Sequence, residues 1–97
     1  MYISLKDRFR SSVKYYRFKN KLSQEQLGEL VDLTPKYISD IERGKTTPSF
    51  DTVDRISEAF KVDPLDMLTD KYYEEYINSK RKIDEVRKRI SRNKTRV

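Results

Sequence analysis

The sequence predicts an all-α fold, with five short helices in one domain and an additional helix at the C-terminal end. Only two glycines and three prolines occur among the 97 residues, and both residue types are unfavourable inside helices. Apolar residues recur at intervals of three and four, which is the period of an amphipathic helix. No segment shows the regular alternation of a half-buried strand. We therefore expect a domain at residues 1–69 and a basic C-terminal helix or tail at residues 70–97.

Apolar spacing and capping patterns predict the first two helices. The first is expected at residues 5–20, where one face carries Phe9, Val13 and Tyr16. Ser23 precedes the second, and Gln26 stands three residues later, as in a capping box. The inward-facing residues of the second helix should be Leu27, Leu30 and Val31.

The next three helices have clear start and stop signals. Thr34 is a suitable N-cap, and Pro35 fits the first helical position because its missing N–H is not needed there. Gly44 should end the third helix in a left-handed conformation. Ser49 should cap the fourth helix, and Pro64 should open the short fifth one. The apolar residues expected to pack from these helices are Ile38, Ile41, Phe50, Val53, Ile56, Ala59, Phe60, Leu65 and Leu68.

Charge is concentrated at one end of the chain. Residues 1–70 carry 12 basic and 12 acidic residues, whereas residues 71–97 carry 10 basic and 4 acidic ones, so the entire net charge of +6 lies in the tail. The pI near 9.5 favours a polyanionic partner. Cysteine and histidine are both absent, which excludes disulfides and thiolate or imidazole metal sites. We expect no metal, no cofactor and no enzymatic activity.

Membrane insertion and export are not expected. The first residues lack the apolar core of a signal peptide. No apolar run approaches the roughly 20 residues that cross a bilayer. The sequence therefore favours a soluble, cytoplasmic protein.

The tail shows an apolar seam with alternating spacings of four and three, interrupted by Ser79. Its members are Tyr72, Tyr76, Ile83, Val86 and Ile90. A dimerisation helix is the favoured interpretation. A helix packed on its own domain and a disordered basic arm that binds DNA nonspecifically are the two alternatives.

Two short helices at residues 23–31 and 34–43, with only a short connection, form a possible DNA-binding hairpin. Four stretches sharpen this interpretation: LSQEQL at 22–27, TPKYISDIERGK at 34–45, PS at 48–49 and VDPLDML at 62–68. Over about residues 9–69 the chain resembles the lambda-repressor/Cro-like, or XRE, helix-turn-helix family. The resemblance implies a five-helix domain that binds operator DNA, usually as a dimer on a two-fold site.

The third helix should carry the base-reading residues. Lys36 and Asp40 are four apart and share a face, opposite the inward-facing isoleucines. Lys36 suits the O6 and N7 acceptors of guanine, and Asp40 suits the amino group of cytosine. An exposed intrahelical ion pair is the alternative for both. Tyr37 is expected to contact a thymine methyl group or a phosphate, or else to pack against the second helix.

Phosphate contacts are implied mainly by the resemblance. It assigns Gln24 to a phosphate at a helix N-terminus, where free N–H groups also favour an anion. The further phosphate-binding residues expected are Thr34, Arg43, Lys45 and Thr46. Pro35 stands where some members have a second glutamine, so adenine reading is not expected there. The resemblance also implies a structural ion pair between Arg17 and Glu42.

These features predict a sequence-specific DNA-binding transcription regulator, a repressor or autoregulator that binds a pseudo-palindromic operator as a homodimer. The alternative is a protein-interaction module, such as an antitoxin whose C-terminal tail binds a partner protein. An RNA-binding protein is a weaker option, because neither an aromatic sheet nor a GxxG loop is visible.

Overall fold

The computed structural model describes residues 1–78, and the all-α prediction is confirmed for them. The helices are α1 (Leu5–Lys19), α2 (Gln24–Val31), α3 (Pro35–Glu42), α4 (Phe50–Phe60) and α5 (Pro64–Met67). A π-helical segment, Glu74–Asn78, follows α5. Within these residues, no helix has both the length and the apolar content needed to span a membrane. The seam residues Ile83, Val86 and Ile90 lie outside the described part of the chain.

The predicted caps form at the helix ends. The hydroxyl of Ser23 accepts a hydrogen bond from the Gln26 N–H at 3.0 Å, and the Gln26 side chain accepts one from the Ser23 N–H at 2.8 Å. Thr34 Oγ1 accepts from the Tyr37 N–H at 3.1 Å. Gly44 ends α3 with a φ of +72°. Since a side-chain N-cap contributes about 1 kcal/mol, local chemistry defines the starts of both hairpin helices.

The connection between α2 and α3 depends on a close backbone approach. Asp32 ends α2 in a left-handed conformation with φ +56°, and the Leu33 N–H donates to the Gly28 carbonyl at 2.9 Å. A Cβ atom at position 28 would collide with the Leu33 carbonyl oxygen. Glycine at this position therefore allows the tight turn that sets α3 against α2.

One apolar core joins the five helices. Its buried members are Phe9, Val13, Leu27, Val31, Ile38, Ile41, Val53, Ile56 and Met67. Most of the predicted core is confirmed, but Leu30 and Leu65 are 61% and 76% exposed, so the prediction was wrong for both. Leu30 lies beside the stripe formed by Leu27 and Val31, and α5 is a single turn whose inner position is taken by Met67.

Phe50 also departs from the expected stripe of α4. It is the first residue of the helix and is 84% exposed. Buried positions begin at Thr52 and Val53 and continue at Ile56. The apolar stripe of α4 therefore begins one turn later than its sequence suggests.

The start of the tail packs on α1 through an aromatic cluster. The rings of Tyr15 and Tyr72 stack with centroids 3.7 Å apart and an interplanar angle of 9°. Tyr16 meets Tyr72 edge-on at 5.8 Å, and Tyr76 lies 5.8 Å from the ring of Phe18. We call these five residues the aromatic dock. For Tyr72 and Tyr76 the arrangement is the one that packing on the same domain predicts, whereas their dimerisation role stays a prediction.

Two phenols of the aromatic dock, those of Tyr72 and Tyr76, have a pKa above the ordinary value for tyrosine. Burial raises the pKa of Tyr72, and the neighbouring hydroxyls of Tyr16 and Tyr15 raise it further. Burial also raises the pKa of Tyr76. Because an unfolded tyrosine titrates near pH ~10, these groups contribute stability that is fully present below that pH. The contribution is lost as the pH rises through the higher folded-state values.

Tyr72→Ala tests the energetic weight of the aromatic dock. The substitution removes a buried, stacked ring, so the free energy of unfolding should fall by about 2–4 kcal/mol in urea titrations followed by circular dichroism. Tyr2 is 89% exposed, and Tyr2→Ala should change the same quantity by less than about 0.5 kcal/mol. Equal effects of the two substitutions would show that the dock contributes no stability.

Candidate nucleic-acid interface

The outer face of α3 is polar and accessible. Ile38 and Ile41 are buried on one side of the helix, while the Lys36 side chain on the other side is 85% exposed. Asp40 is partly exposed, at 23% of its side-chain surface. The isoleucines therefore anchor α3 in the core and leave its polar face open to an external partner.

Asp40 pairs with two cations along this face. Its carboxylate lies 3.5 Å from Lys36 Nζ and 3.2 Å from Arg43 Nη2. The intrahelical ion pair expected as the alternative for Lys36 and Asp40 is thus present in the free protein. Exposed pairs of this kind contribute only about 0.3–0.5 kcal/mol, so either side chain can leave the pair at little cost when a nucleic acid offers a better partner.

Thr34 and Tyr37 occupy the leading turn of α3. Thr34 is exposed, and its hydroxyl already serves as the N-cap. Tyr37 is partly buried and packs against the apolar core, and its contact with DNA stays a prediction. Both residues lie on the same turn as Lys36, and the Thr34 hydroxyl keeps donor capacity beyond its capping bond.

A buried polar network links α1, α2 and α3. Arg17 and Glu42 form a two-point ion pair with N–O distances of 2.7 and 2.8 Å, and Glu42 is only 1% exposed. Arg17 also donates to the Leu22 carbonyl at 3.0 Å. The predicted structural pairing is present, and its two-point geometry fixes the orientation of the guanidinium relative to the carboxylate.

Gln24 belongs to the same network, which the sequence did not indicate. Its Nε2 donates to Glu42 Oε1 at 3.2 Å. The side chain is therefore held toward the end of α3, while the backbone N–H groups at the start of α2 remain the donors suited to an anion. A phosphate role for Gln24 stays a prediction.

The turn at residues 43–46, which follows α3 and which we call the exit turn, carries the remaining predicted contacts. Arg43 and Lys45 are exposed, and Thr46 is half-buried. The turn is closed by the Lys45 N–H donating to the Asp40 carbonyl at 2.9 Å and by the Gly44 N–H donating to the Ile41 carbonyl at 3.1 Å. Their side chains therefore extend from a defined turn that directly follows the exposed face of α3.

Two residues of α1 reach this exit, and sequence reasoning missed both. Lys6 Nζ donates to the Gly44 carbonyl at 3.2 Å, and Arg10 Nη1 donates to the Glu42 carbonyl at 3.3 Å. The contacts span 38 and 32 residues of sequence. No local spacing pattern could have indicated them.

Comparison with known sequences gives matches over this region. A family model described as Helix-turn-helix matches residues 13–67. Control protein C.BamHI of Bacillus amyloliquefaciens is 48% identical over 50 residues, which are 52% of this chain and 62% of that protein. The match thus spans less than two thirds of this curated relative.

Solved structures share the fold. The restriction-modification controller protein C.AhdI from Aeromonas hydrophila matches with a TM-score of 0.61 and 26% identity, over 64% of this chain and 94% of that one. A hypothetical transcription factor, NHTF from Neisseria, matches with a TM-score of 0.65 and 21% identity, over 68% and 76%. The names of these three relatives describe regulators, and none describes an enzyme.

Glu42→Ala tests whether the buried network holds α3 in place. The substitution strands the guanidinium of Arg17, whose side chain is 10% exposed, so the free energy of unfolding should fall by ~3–5 kcal/mol in chemical denaturation. Glu58→Ala removes an exposed carboxylate on α4 and should cost less than about 0.5 kcal/mol. A loss below about 1 kcal/mol for Glu42→Ala would contradict the structural role of the pair.

Proposed function

Because this chain belongs to the helix-turn-helix family of DNA-binding transcription regulators, we propose that it binds operator DNA by inserting α3 into the major groove. One observation carries the proposal. The polar side of α3 is accessible at Lys36, while Ile38 and Ile41 are buried. A helix anchored in this way can enter the groove without exposing its core side chains.

Base recognition is assigned to Lys36, Tyr37 and Asp40 of α3. Lys36 donates to guanine, Asp40 accepts from the amino group of cytosine, and Tyr37 contacts a thymine methyl group. The ion pair between Lys36 and Asp40 must open for both contacts to form. Since phosphates repel Asp40, this residue also disfavours sequences that offer it no donor.

Phosphate contacts surround the base-reading face. We assign contacts with the DNA backbone to the N-terminus of α2 with Gln24, to the start of α3 at Thr34, and to the exit residues Arg43, Lys45 and Thr46. Such contacts set the register of the helix on the duplex without reading sequence. Their positions before and after the exposed face of α3 support this division of roles.

A homodimer on a pseudo-palindromic operator completes the proposal. Two copies of α3 would enter successive major grooves about 34 Å apart. Because the dock positions Tyr72 and Tyr76 against α1, the remaining seam of Ile83, Val86 and Ile90 is assigned the contact between copies. The names of C.BamHI and C.AhdI, a control protein and a restriction-modification controller, support a regulatory role. We propose that this chain is a cytoplasmic repressor or autoregulator. The comparisons do not favour the antitoxin-like alternative.

Lys36→Ala should relax base preference at one operator position. Loss of the hydrogen bonds from Lys36 to guanine should cost ~1–3 kcal/mol of discrimination between bases at that position. The measurement compares binding to an operator selected from random DNA with binding to its single-base variants. Lys45→Ala is the matched control, because loss of a phosphate contact should weaken binding to all sequences alike. It should also reduce the slope of log K against log salt by ~0.9. Unchanged preference after Lys36→Ala would exclude this lysine as a base reader.

Removal of residues 79–97 should shift the monomer–dimer equilibrium toward the monomer and weaken operator binding. The truncated chain keeps residues 1–78 and with them the aromatic dock. Sedimentation equilibrium gives the mass, and binding to the selected operator gives the affinity. Because the removed segment is also strongly basic, a second variant should replace Ile83, Val86 and Ile90 by serine and keep every charge. A dimer that survives both changes would contradict the assignment of this seam.

A further inference from the structure

Two side chains from the first turns of α1 bond carbonyl groups at the end of α3 and in the turn that follows it. Lys6 Nζ donates to the Gly44 carbonyl at 3.2 Å, and Arg10 Nη1 donates to the Glu42 carbonyl at 3.3 Å. We call Lys6 and Arg10 the exit clamp. The last carbonyls of a helix lack intrahelical partners and carry the negative end of its dipole. Arg10 therefore satisfies a carbonyl that α3 itself leaves unbonded, and Lys6 bonds a carbonyl in the turn that directly follows the helix.

Arg10 is itself held in place. Its Nε donates to Asp7 Oδ1 at 2.7 Å, one turn earlier on α1, and its side chain covers Gly44. A Cβ atom at position 44 would lie only 3.2 Å from Arg10 Nε. The glycine therefore serves two needs at once: a φ of +72° and room for the arginine above the turn.

The exit clamp adjoins the proposed phosphate-binding residues. Arg43 precedes Gly44, and Lys45 and Thr46 follow it. An unheld exit turn would have to be ordered when DNA binds, at an entropic cost of about 1–2 kcal/mol per residue. We propose that Lys6 and Arg10 are positioning residues for DNA binding, which fix the exit turn before the duplex arrives. This inference rests on the proposed function of α3.

A direct phosphate contact by Arg10 fits the geometry less well. Two of its three nitrogens already donate to Asp7 and to the Glu42 carbonyl, and the Asp7 carboxylate offsets its charge. A phosphate ligand would need donors free to follow the DNA backbone. The arginine is thus used for its fork-shaped geometry, which a lysine cannot reproduce.

Arg10→Lys separates positioning from charge. The net charge is unchanged, but one ammonium group cannot bond both Asp7 and the Glu42 carbonyl. Affinity for a duplex selected from random DNA by the wild-type chain should fall about tenfold, which corresponds to ordering roughly one residue on binding. The slope of log K against log salt should stay at the wild-type value, because no phosphate contact is lost. Wild-type affinity, or a slope reduced by ~0.9, would overturn the proposal.

Arg8→Lys is the matched control. Arg8 lies on the same helix and donates to the Ile3 carbonyl at 2.9 Å, not to a carbonyl of α3 or of the turn after it, so its replacement should leave operator affinity unchanged. Lys6 provides a second test if Arg10→Lys unfolds. Lys6→Met should weaken binding, and Lys6→Arg, which keeps a donor for the Gly44 carbonyl, should restore it. Failure of the arginine to restore binding would contradict positioning by this contact.

Amide hydrogen exchange tests the exit clamp without DNA. In Arg10→Lys, exchange at Gly44 and Lys45 should be faster than in the wild type, while exchange in the core of α4 stays the same. Unchanged exchange at the turn would contradict the clamp. If the wild-type chain selected no duplex at all, the proposed function would fail, so the two failures are distinguishable.

Discussion

The buried ion pair between Arg17 and Glu42 is the constraint on which the rest of the structure depends. It joins α1 to the end of α3 by two hydrogen bonds, and Gln24 connects the start of α2 to the same carboxylate. Desolvation offsets much of the Coulombic gain of such a pair, so its main effect is on geometry. A two-point contact fixes both distance and angle. The two helices of the hairpin are thereby oriented against α1 by a single acidic side chain.

The placement of charge matters more here than its total. Residues 1–70 have equal numbers of acidic and basic residues, so attraction of this part of the chain to DNA depends on where its cations lie. Lys36, Arg43 and Lys45 are exposed along or just beyond one face of α3. Asp40 lowers the positive charge of that face in the free protein by pairing with two of them. A face of this kind binds nonspecific DNA less strongly than an unpaired basic helix would, which favours discrimination over affinity.

Local features were predictable from the sequence, and long-range ones were not. The caps at Ser23 and Thr34 and the stop at Gly44 depend on neighbouring residues, so their patterns predicted the helix ends. The pairing of Arg17 with Glu42 came from family resemblance. Burial of Leu30 and Leu65 was predicted wrongly, because the spacing of apolar residues predicts which of them share a helix face but not which other helix covers that face. The exit clamp joins segments far apart in sequence, and nothing in the local pattern of either segment specifies its contacts. The aromatic dock was anticipated only as one of three alternatives for the tail, because the seam does not specify which surface it contacts.

The aromatic dock changes how the tail can join two copies of the chain. It places Tyr72 and Tyr76, the first two apolar positions of the seam, against α1. Only Ile83, Val86 and Ile90 remain as apolar seam positions, which is about one heptad. A seam of that length gives a marginal helix pair in isolation. In the proposed homodimer, an operator with two half-sites would raise the effective concentration of the two copies, so weak pairing through the tail would be sufficient on DNA. Dimer formation and operator binding would then be coupled.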